Sequence, residues 1–375
     1  MVIPWWMTNA LGPNVNQGSI RGHRLIHGAD GLNTGVWPIP ADHLVTPTDL
    51  FFTRSHASVP LIDRSRWRLE VGGLVDHPKI FSFEDLNRGF PRREVTATMV
   101  CAGLRRDEFL SLGPLPGELP WGPEPASTGR WSGISVGDVL QAAGLKEGAG
   151  YVEFTGLDEV KREGMQCGFG GSIDLAKALT AGVLLATELN GEPLPPEHGY
   201  PLRVVVPGWI GARSVKWLGR IEVLDQPSSN YFQSRAYRLQ RETNHRDPRD
   251  VTAGVALTTI PLNSVIVTPR SDQTVDAGRI LVQGWAMGSG GCPVRAVELS
   301  PDAGDTWRPA RITREGESWT WSFWEGELDL ARGRHVLAVR ARDAHGASQP
   351  ATLSGIWNVK GYNNNAWHRV AVRAE

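Results

Sequence analysis

Cysteine is scarce in this 375-residue chain, with three residues, Cys101, Cys167 and Cys292, widely separated and in no CxxC pair. The odd count and wide spacing exclude a disulfide framework, and the missing CxxC excludes a zinc ribbon or a haem attachment site. A dominant charge is also lacking: 39 Lys and Arg oppose 40 Asp and Glu. No global field therefore selects nucleic acid or an anionic membrane, and any anion must be met by a local cluster. No apolar run approaches the ~20 residues of a membrane span. The opening MVIPWWMTNALGPN has neither the basic region, the apolar core nor the cleavage site of an export signal. The chain reads as soluble, cytoplasmic as it stands and periplasmic if a leader has been removed.

What is abundant points to β structure. The 43 glycines, 26 prolines and 15 tryptophans imply many turns between short elements. The length suits two domains, at roughly 100 to 200 residues each. Residues 1–45 mix Gly, Asn, Pro and Trp without periodicity and read as an arm packed on the body. Residues 46–251 alternate short β-like runs such as WRLEVGGLV, YVEFTGL and LRVVVPG with isolated short helices, an α+β pattern rather than βαβ. Helix starts are expected at Ser82 and Ser172. A third is expected at Ser135, with Asp138 returning the cap bond and Gly144 ending the helix. Beyond the charged RETNHRDPRD, residues 252–375 show period-two strands between Gly, Asp and Pro turns, the layout of an immunoglobulin-like β-sandwich.

Three clusters could carry chemistry. In TATMVCAGLRRDEF, Cys101 on its own is ordinarily a small buried hydrophobe, but the Ala-Gly after it permits close backbone approach. Arg105 and Arg106 could stabilise a thiolate, the soft ligand that a redox metal prefers. In FFTRSHASVP, Arg54 and His56 share one side of an extended segment. In HGYPLRVVVPGWIGARSVKWLG, His198, Arg203, Arg213 and Lys216 interleave with glycines, which suits either a phosphate cradle or a basic rim. Two further signals are weaker. His23 and His27 in HRLIH have helical i,i+4 spacing without a third ligand. CGFGGSIDL is a Gly-rich helix entry that fits neither dinucleotide nor P-loop spacing.

In this order the clusters resemble the sulfite oxidase family of molybdenum enzymes, from about Phe51 to NNNAWHRVAV. Cys101 stands where the family's TxxCAGNRR places the molybdenum ligand. FFTRSH is similar to FxxRNH, HGYPLRVVVPG to HGxPxRxVVPG, and GARSVKWLG to GARxVKWLG. The resemblance implies molybdenum held by molybdopterin, with Phe52, Arg54, His56, Asp158, His198, Arg203, Arg213, Ser214 and Lys216 around the pterin and its phosphate, some through their backbone. It implies a substrate site with Arg106, Arg54, Tyr237 (in FQSRAY) and Trp121 (before STGRW). It further implies oxidation of sulfite to sulfate by oxygen-atom transfer, a separate one-electron acceptor such as a cytochrome, and a homodimer joined through the sandwich, with its Trp-rich faces as contacts. Arginine suits an oxyanion because its fork can bind bidentately and stays charged.

Two departures bear on substrate. Leu104 replaces the Asn of CAGNRR, and Cys292 replaces a third pocket arginine, for which Arg295 is a candidate substitute. A pocket short of one cation suits a dianion less well. Another oxo-substrate, such as nitrate, a sulfoxide or an organic sulfur compound, therefore stands as the alternative on the same fold and cofactor. A non-catalytic binding module would leave the cation and glycine clusters unexplained.

Overall fold

The computed structural model describes residues 23–27 in their backbone, and 32–38, 43–240, 252 and 254–375. Most of the expected arm, and RETNHRDPRD, lie outside the described residues. HRLIH forms a strand, His23–His27, paired antiparallel with Asn33–Trp37. Residues four apart on a strand are separated by about 13 Å of chain, so the helical spacing expected for His23 and His27 does not arise.

The body is built on two five-stranded sheets. One runs Gly170–Asp174, Tyr151–Gly156, Leu218–Leu224, Leu69–Gly73, Lys79–Phe81, with only the Leu218–Leu224 and Leu69–Gly73 pair parallel. The other orders Glu192–Pro193, Leu184–Leu189, Ala126–Ser135 and Arg92–Val100, with Arg203–Val205 also on Leu184–Leu189. Val71, Val152, Phe154, Leu185, Val204 and Ile221 from both sheets meet in one core. Each buried aliphatic side chain contributes about 1.5–3 kcal/mol to holding them together.

Short helices decorate these sheets. Ser82 caps Phe83–Gly89 in a reciprocal box with Asp85 (Asp85 N–H to Ser82 Oγ, 3.1 Å; Ser82 N–H to Asp85 Oδ2, 2.8 Å). Ser135 precedes Val136–Ala143 and Gly144 ends it at φ 70°, but Ser135 makes no side-chain cap bond. Asp138 pairs instead with Arg93 at 3.1 Å. Ser172 lies inside the strand Gly170–Asp174, and the helix starts only at Leu175. Its hydroxyl is taken by the Ser228 N–H (2.9 Å) and Gln233 Nε2 (3.0 Å), which leaves no cap to offer.

Residues 263–374 contribute eight strands in one hydrogen-bonded order, Asn263–Thr268, Gly278–Met287, Ser322–Leu330, Arg308–Arg314, Val294–Ser300, Gly333–Asp343, His368–Ala374, Gln273–Val275. They double over so that Ile266, Val282 and Trp324 meet Leu337, Val339 and Val370. The strand His368–Ala374 alternates buried and exposed at every position, as its HRVAVRA pattern requires. Trp285, Trp321 and Trp324 are interior rather than on an outer face.

Arg105 ties the two parts together. It sits at φ 57° with a fully buried side chain. It donates to both carboxylate oxygens of Glu108 (2.6 and 2.8 Å), to Asn263 Oδ1 (2.8 Å) and to the Ala366 carbonyl (2.9 Å). Asn364 Nδ2 returns a bond to the Arg105 carbonyl at 2.8 Å. Every nitrogen of the guanidinium is therefore used, Nη1 in joining the body to the sandwich and Nε and Nη2 in holding Glu108 beside it. It is not turned toward Cys101.

Candidate active site

Cys101 follows directly on the strand Arg92–Val100, whose second half is buried. The strand's register against Ala126–Ser135 pairs Val100 with Ala126, and the Cys101 N–H then reaches the Pro125 carbonyl at 2.9 Å. The thiol is buried but opens on two adjoining cavities. Its sulfur accepts from the Gly103 N–H at 3.4 Å. A Cβ at Gly103 would come 2.8 Å from Arg106 Cζ, so a side chain here would displace that guanidinium.

The first cavity, about 60 Å³, is lined among others by Phe52, Arg54, His56, Cys101, Asp158, His198, Arg203, Ser214 and Lys216. FFTRSH, DEV, HGYPLR and ARSVKW thus converge although spread over more than 160 residues. Arg203 donates to the His198 carbonyl (2.9 Å) and the Ser214 carbonyl (3.0 Å), and its guanidinium lies 4.9 Å from the Trp131 ring centre. Lys216 donates to Ser55 Oγ (2.7 Å) and the Glu197 carbonyl (2.9 Å). Gly199, at φ 110°, lets these chains meet: a Cβ would lie 3.0 Å from Arg203 Cβ and 3.1 Å from Lys216 Cβ.

Among the described residues no carboxylate lies within ion-pair distance of Arg203 or Lys216. Burial lowers the Arg203 pKa to about 9. Burial, with Arg203 adding repulsion, holds Lys216 well below its usual range. Burial also raises the Asp158 carboxyl, whose Oδ1 accepts the Phe169 N–H at 2.9 Å. Cations buried without a counter-charge are costly unless an anion joins them. Their surroundings match a buried phosphate, and a thiol stands on the wall of the same cavity. This donor set fits a phosphorylated, metal-bearing cofactor.

The second cavity, about 240 Å³, is bordered by Arg54, His56, Cys101, Arg106, Glu118, Arg162, Arg235, Tyr237, Lys360 and Tyr362 among others. His56 is kept neutral chiefly by burial and next by Arg54. Arg54 Nη2 contacts His56 Nδ1 at 3.3 Å, and His56 Nε2 contacts Tyr237 Oη at 2.8 Å. A guanidinium can only donate, so Nδ1 is the acceptor and the single ring proton sits on Nε2, donated to the phenol. The Tyr237 hydroxyl proton is then free to donate elsewhere. Burial pushes the Tyr237 pKa up to about 12.

Other expected site residues lie elsewhere. Arg213 lines neither cavity; its Nη1 reaches the Phe232 carbonyl (3.3 Å), Nη2 is buried without a partner among the described residues, and burial lowers its pKa to about 10. Trp121 is fully buried in the cluster with Phe51, Cys101 and Trp131 and lines neither cavity, packing behind Cys101. Leu104 also lines neither, packing among Val100, Ala102, Tyr237 and Trp285. Cys292 and Arg295 border neither cavity, and Arg295 is exposed. Glu118, Arg162, Lys360 and Tyr362 were not foreseen. Glu118 and Lys360, in GELP and VKGY, lie beside turn-forming Gly or Pro, the one local hint that they sit on loops.

Residues 56–232 match the oxidoreductase molybdopterin binding domain and residues 255–375 the Mo-co oxidoreductase dimerisation domain. Sulfite oxidase of Gallus gallus is 39% identical over 339 residues, covering 88% of this chain and 73% of its own length. The chain belongs to the sulfite oxidase family. The family's cofactor is molybdenum carried by molybdopterin, a phosphorylated group that the donors of the first cavity suit. Mitochondrial sulfite oxidase of Macaca fascicularis is 39% identical over 342 residues, again 88% of this chain. The match spans only 62% of that relative's length. Among solved structures, the sulfane dehydrogenase SoxCD of Paracoccus pantotrophus superposes with a TM-score of 0.78 at 25% identity, covering 100% of this chain and 97% of that one.

Proposed function

We propose that this protein oxidises sulfite to sulfate and passes the electrons to a separate one-electron acceptor such as a cytochrome. The observation that carries this reading is the cavity in which a buried thiol and a pair of buried cations with no carboxylate in ion-pair reach among the described residues, Arg203 and Lys216, face the same space. When bound there, the molybdenum cofactor supplies two-electron oxygen-atom-transfer chemistry. Cys101 would hold the metal. Arg203 and Lys216 would hold the phosphate, with His198, Ser214, Asp158, Phe52 and His56 closing the walls.

The chain's own part in the reaction is binding, orientation and proton placement. Arg54 and Arg162 border the second cavity and give it the positive potential that draws an oxyanion in. Tyr237 Oη, already accepting from His56, presents its proton to that anion, and burial keeps the proton in place at any working pH. Tyr362, stacked on Tyr237 at 5.4 Å, holds the phenol ring and keeps water from its far face. The region 255–375 supports a homodimer.

Steady-state turnover of the molybdenum-loaded protein with sulfite, nitrate, a sulfoxide and thiosulfate, using one artificial oxidant or reductant pair, tests the reading. Saturation at low sulfite, lost in Cys101→Ser with the circular dichroism spectrum unchanged, is the expected result. Saturation by another substrate alone, or sulfite turnover retained in Cys101→Ser, overturns it.

A further inference from the structure

The second cavity holds a charge arrangement that neither the motif pattern nor the reaction requires. Arg106 is buried, and all three of its guanidinium nitrogens are occupied by the protein. Nη2 meets Glu118 Oε2 at 3.2 Å, Nη1 meets the Leu119 carbonyl at 3.0 Å, and Nε meets the Gly361 carbonyl at 3.4 Å. Its plane is also covered by the Tyr362 ring, 5.0 Å from guanidinium carbon to ring centre. The other oxygen of Glu118 takes Lys360 Nζ at 3.1 Å. One carboxylate with only 14% of its side chain exposed thus engages two cations on the cavity wall. Arg235 is likewise paired, with Glu163 at 3.5 Å.

Arg162 differs from these. It borders the same cavity from an exposed position on the strand Val160–Arg162. Its one described hydrogen bond is Nη1 to the neighbouring Lys161 carbonyl at 3.1 Å. No carboxylate is within ion-pair distance among the described residues. An incoming anion can be met by a guanidinium only with donors that are still available, and a carboxylate beside a cation cancels most of its field in a poorly solvated site.

We propose that Glu118 is the residue that sets the anion affinity of this site: it saturates Arg106 and shares Lys360, leaving Arg162 as the guanidinium that receives the oxyanion. This rests on the reading that the cavity takes an oxyanion. Glu118 acts through the cations it holds and is a positioning residue, while Arg162 touches the ligand. The arrangement weakens a dianion more than a monoanion, because removing one positive field costs the doubly charged species twice as much. It therefore selects for singly charged sulfur oxyanions, such as hydrogensulfite, over doubly charged ones, and it speeds release of the dianionic product.

The test measures sulfate binding to the molybdenum-loaded protein by isothermal titration calorimetry, with sulfite kinetics alongside. Glu118→Gln keeps the side chain's size and its hydrogen bond to Arg106 and removes the charge. It is expected to tighten sulfate about tenfold and to lower KM for sulfite, with the change in kcat/KM carried by KM. Arg162→Gln is expected to weaken sulfate about tenfold and to raise KM. Unchanged or weakened sulfate binding in Glu118→Gln overturns the proposal, as does unchanged binding in Arg162→Gln or no sulfate binding in all three proteins. Arg162 is exposed, so its replacement reads the proposal even if Glu118→Gln is unstable. Binding that follows the expected order in a protein that does not oxidise sulfite would instead overturn the function and leave this charge arrangement standing.

Discussion

At the scale of single residues, Tyr237 carries the sharpest expectation. Its hydroxyl has one lone pair taken by His56 Nε2 and its proton uncommitted. Tyr237→Phe keeps the ring between His56 and Tyr362 and removes only that proton. Turnover of sulfite should fall on the order of a hundredfold, the scale of one positioned proton donor, while the melting temperature moves little. A variant with wild-type kcat/KM would show that the hydroxyl does not meet the substrate. The residues that held this site were legible because they sit in long motifs: Cys101, Arg54, His56, His198, Arg203 and Lys216 all border the cavities. Arg105 and Arg106 have different surroundings for a physical reason. Two adjacent arginines look alike in a sequence, but φ 57° at Arg105 turns its side chain into the domain contact, while Glu118, in a loop twelve residues after Arg106, decides what Arg106 can bind. No local pattern foretells a partner supplied by a loop.

At the scale of elements, short-range rules succeeded where the chain had no competing bond to offer. The Ser82 and Asp85 box formed because both side chains are exposed and free to close on each other. Ser172 looks the same in sequence, yet its hydroxyl is claimed by Ser228 and Gln233 and its backbone by the strand Tyr151–Gly156. The CAGLRR turn is the element on which most depends. Arg105 within it is buried and paired with Glu108, and Arg105→Met would leave that carboxylate with only Asn364 as donor among the described residues and remove the bonds to Asn263 Oδ1 and the Ala366 carbonyl. Loss of one member of a buried charge pair costs about 3–5 kcal/mol. The urea midpoint should drop accordingly, and a drop no larger than that of an exposed arginine such as Arg66 would refute the tie.

At the scale of the whole molecule, the alternating strands from 263 to 374 were legible because half-buried sheets print a period of two on the sequence. The interior placement of Trp285, Trp321 and Trp324 was not, since a tryptophan reads the same on either face. Where body and sandwich meet, His368 is buried with its Nδ1 accepting the Ile266 N–H at 3.0 Å. Burial, with Arg105 adding repulsion, lowers its pKa to about 3 from 6.5. A depressed pKa means that the unfolded chain binds the proton more readily. The stability this neutral ring contributes is complete above pH 6.5 and is lost as pH falls toward 3. At its steepest the loss is about 1.4 kcal/mol per pH unit. His368→Asn, which can still accept through its side-chain oxygen, should flatten the dependence of the urea midpoint between pH 7 and 4. An unaltered slope would assign the acid sensitivity to other groups.

The Arg105 tie also orders events in time. Its partners Asn263, Asn364 and Ala366 belong to the sandwich, which is synthesised after the body. Until those residues dock, the turn that presents Cys101 has its bonds to Pro125, Gly122 and Trp121 but lacks those from the sandwich. A nascent body alone would offer the cofactor a thiol on a turn only partly secured, so firm capture of the cofactor should wait until the sandwich has docked.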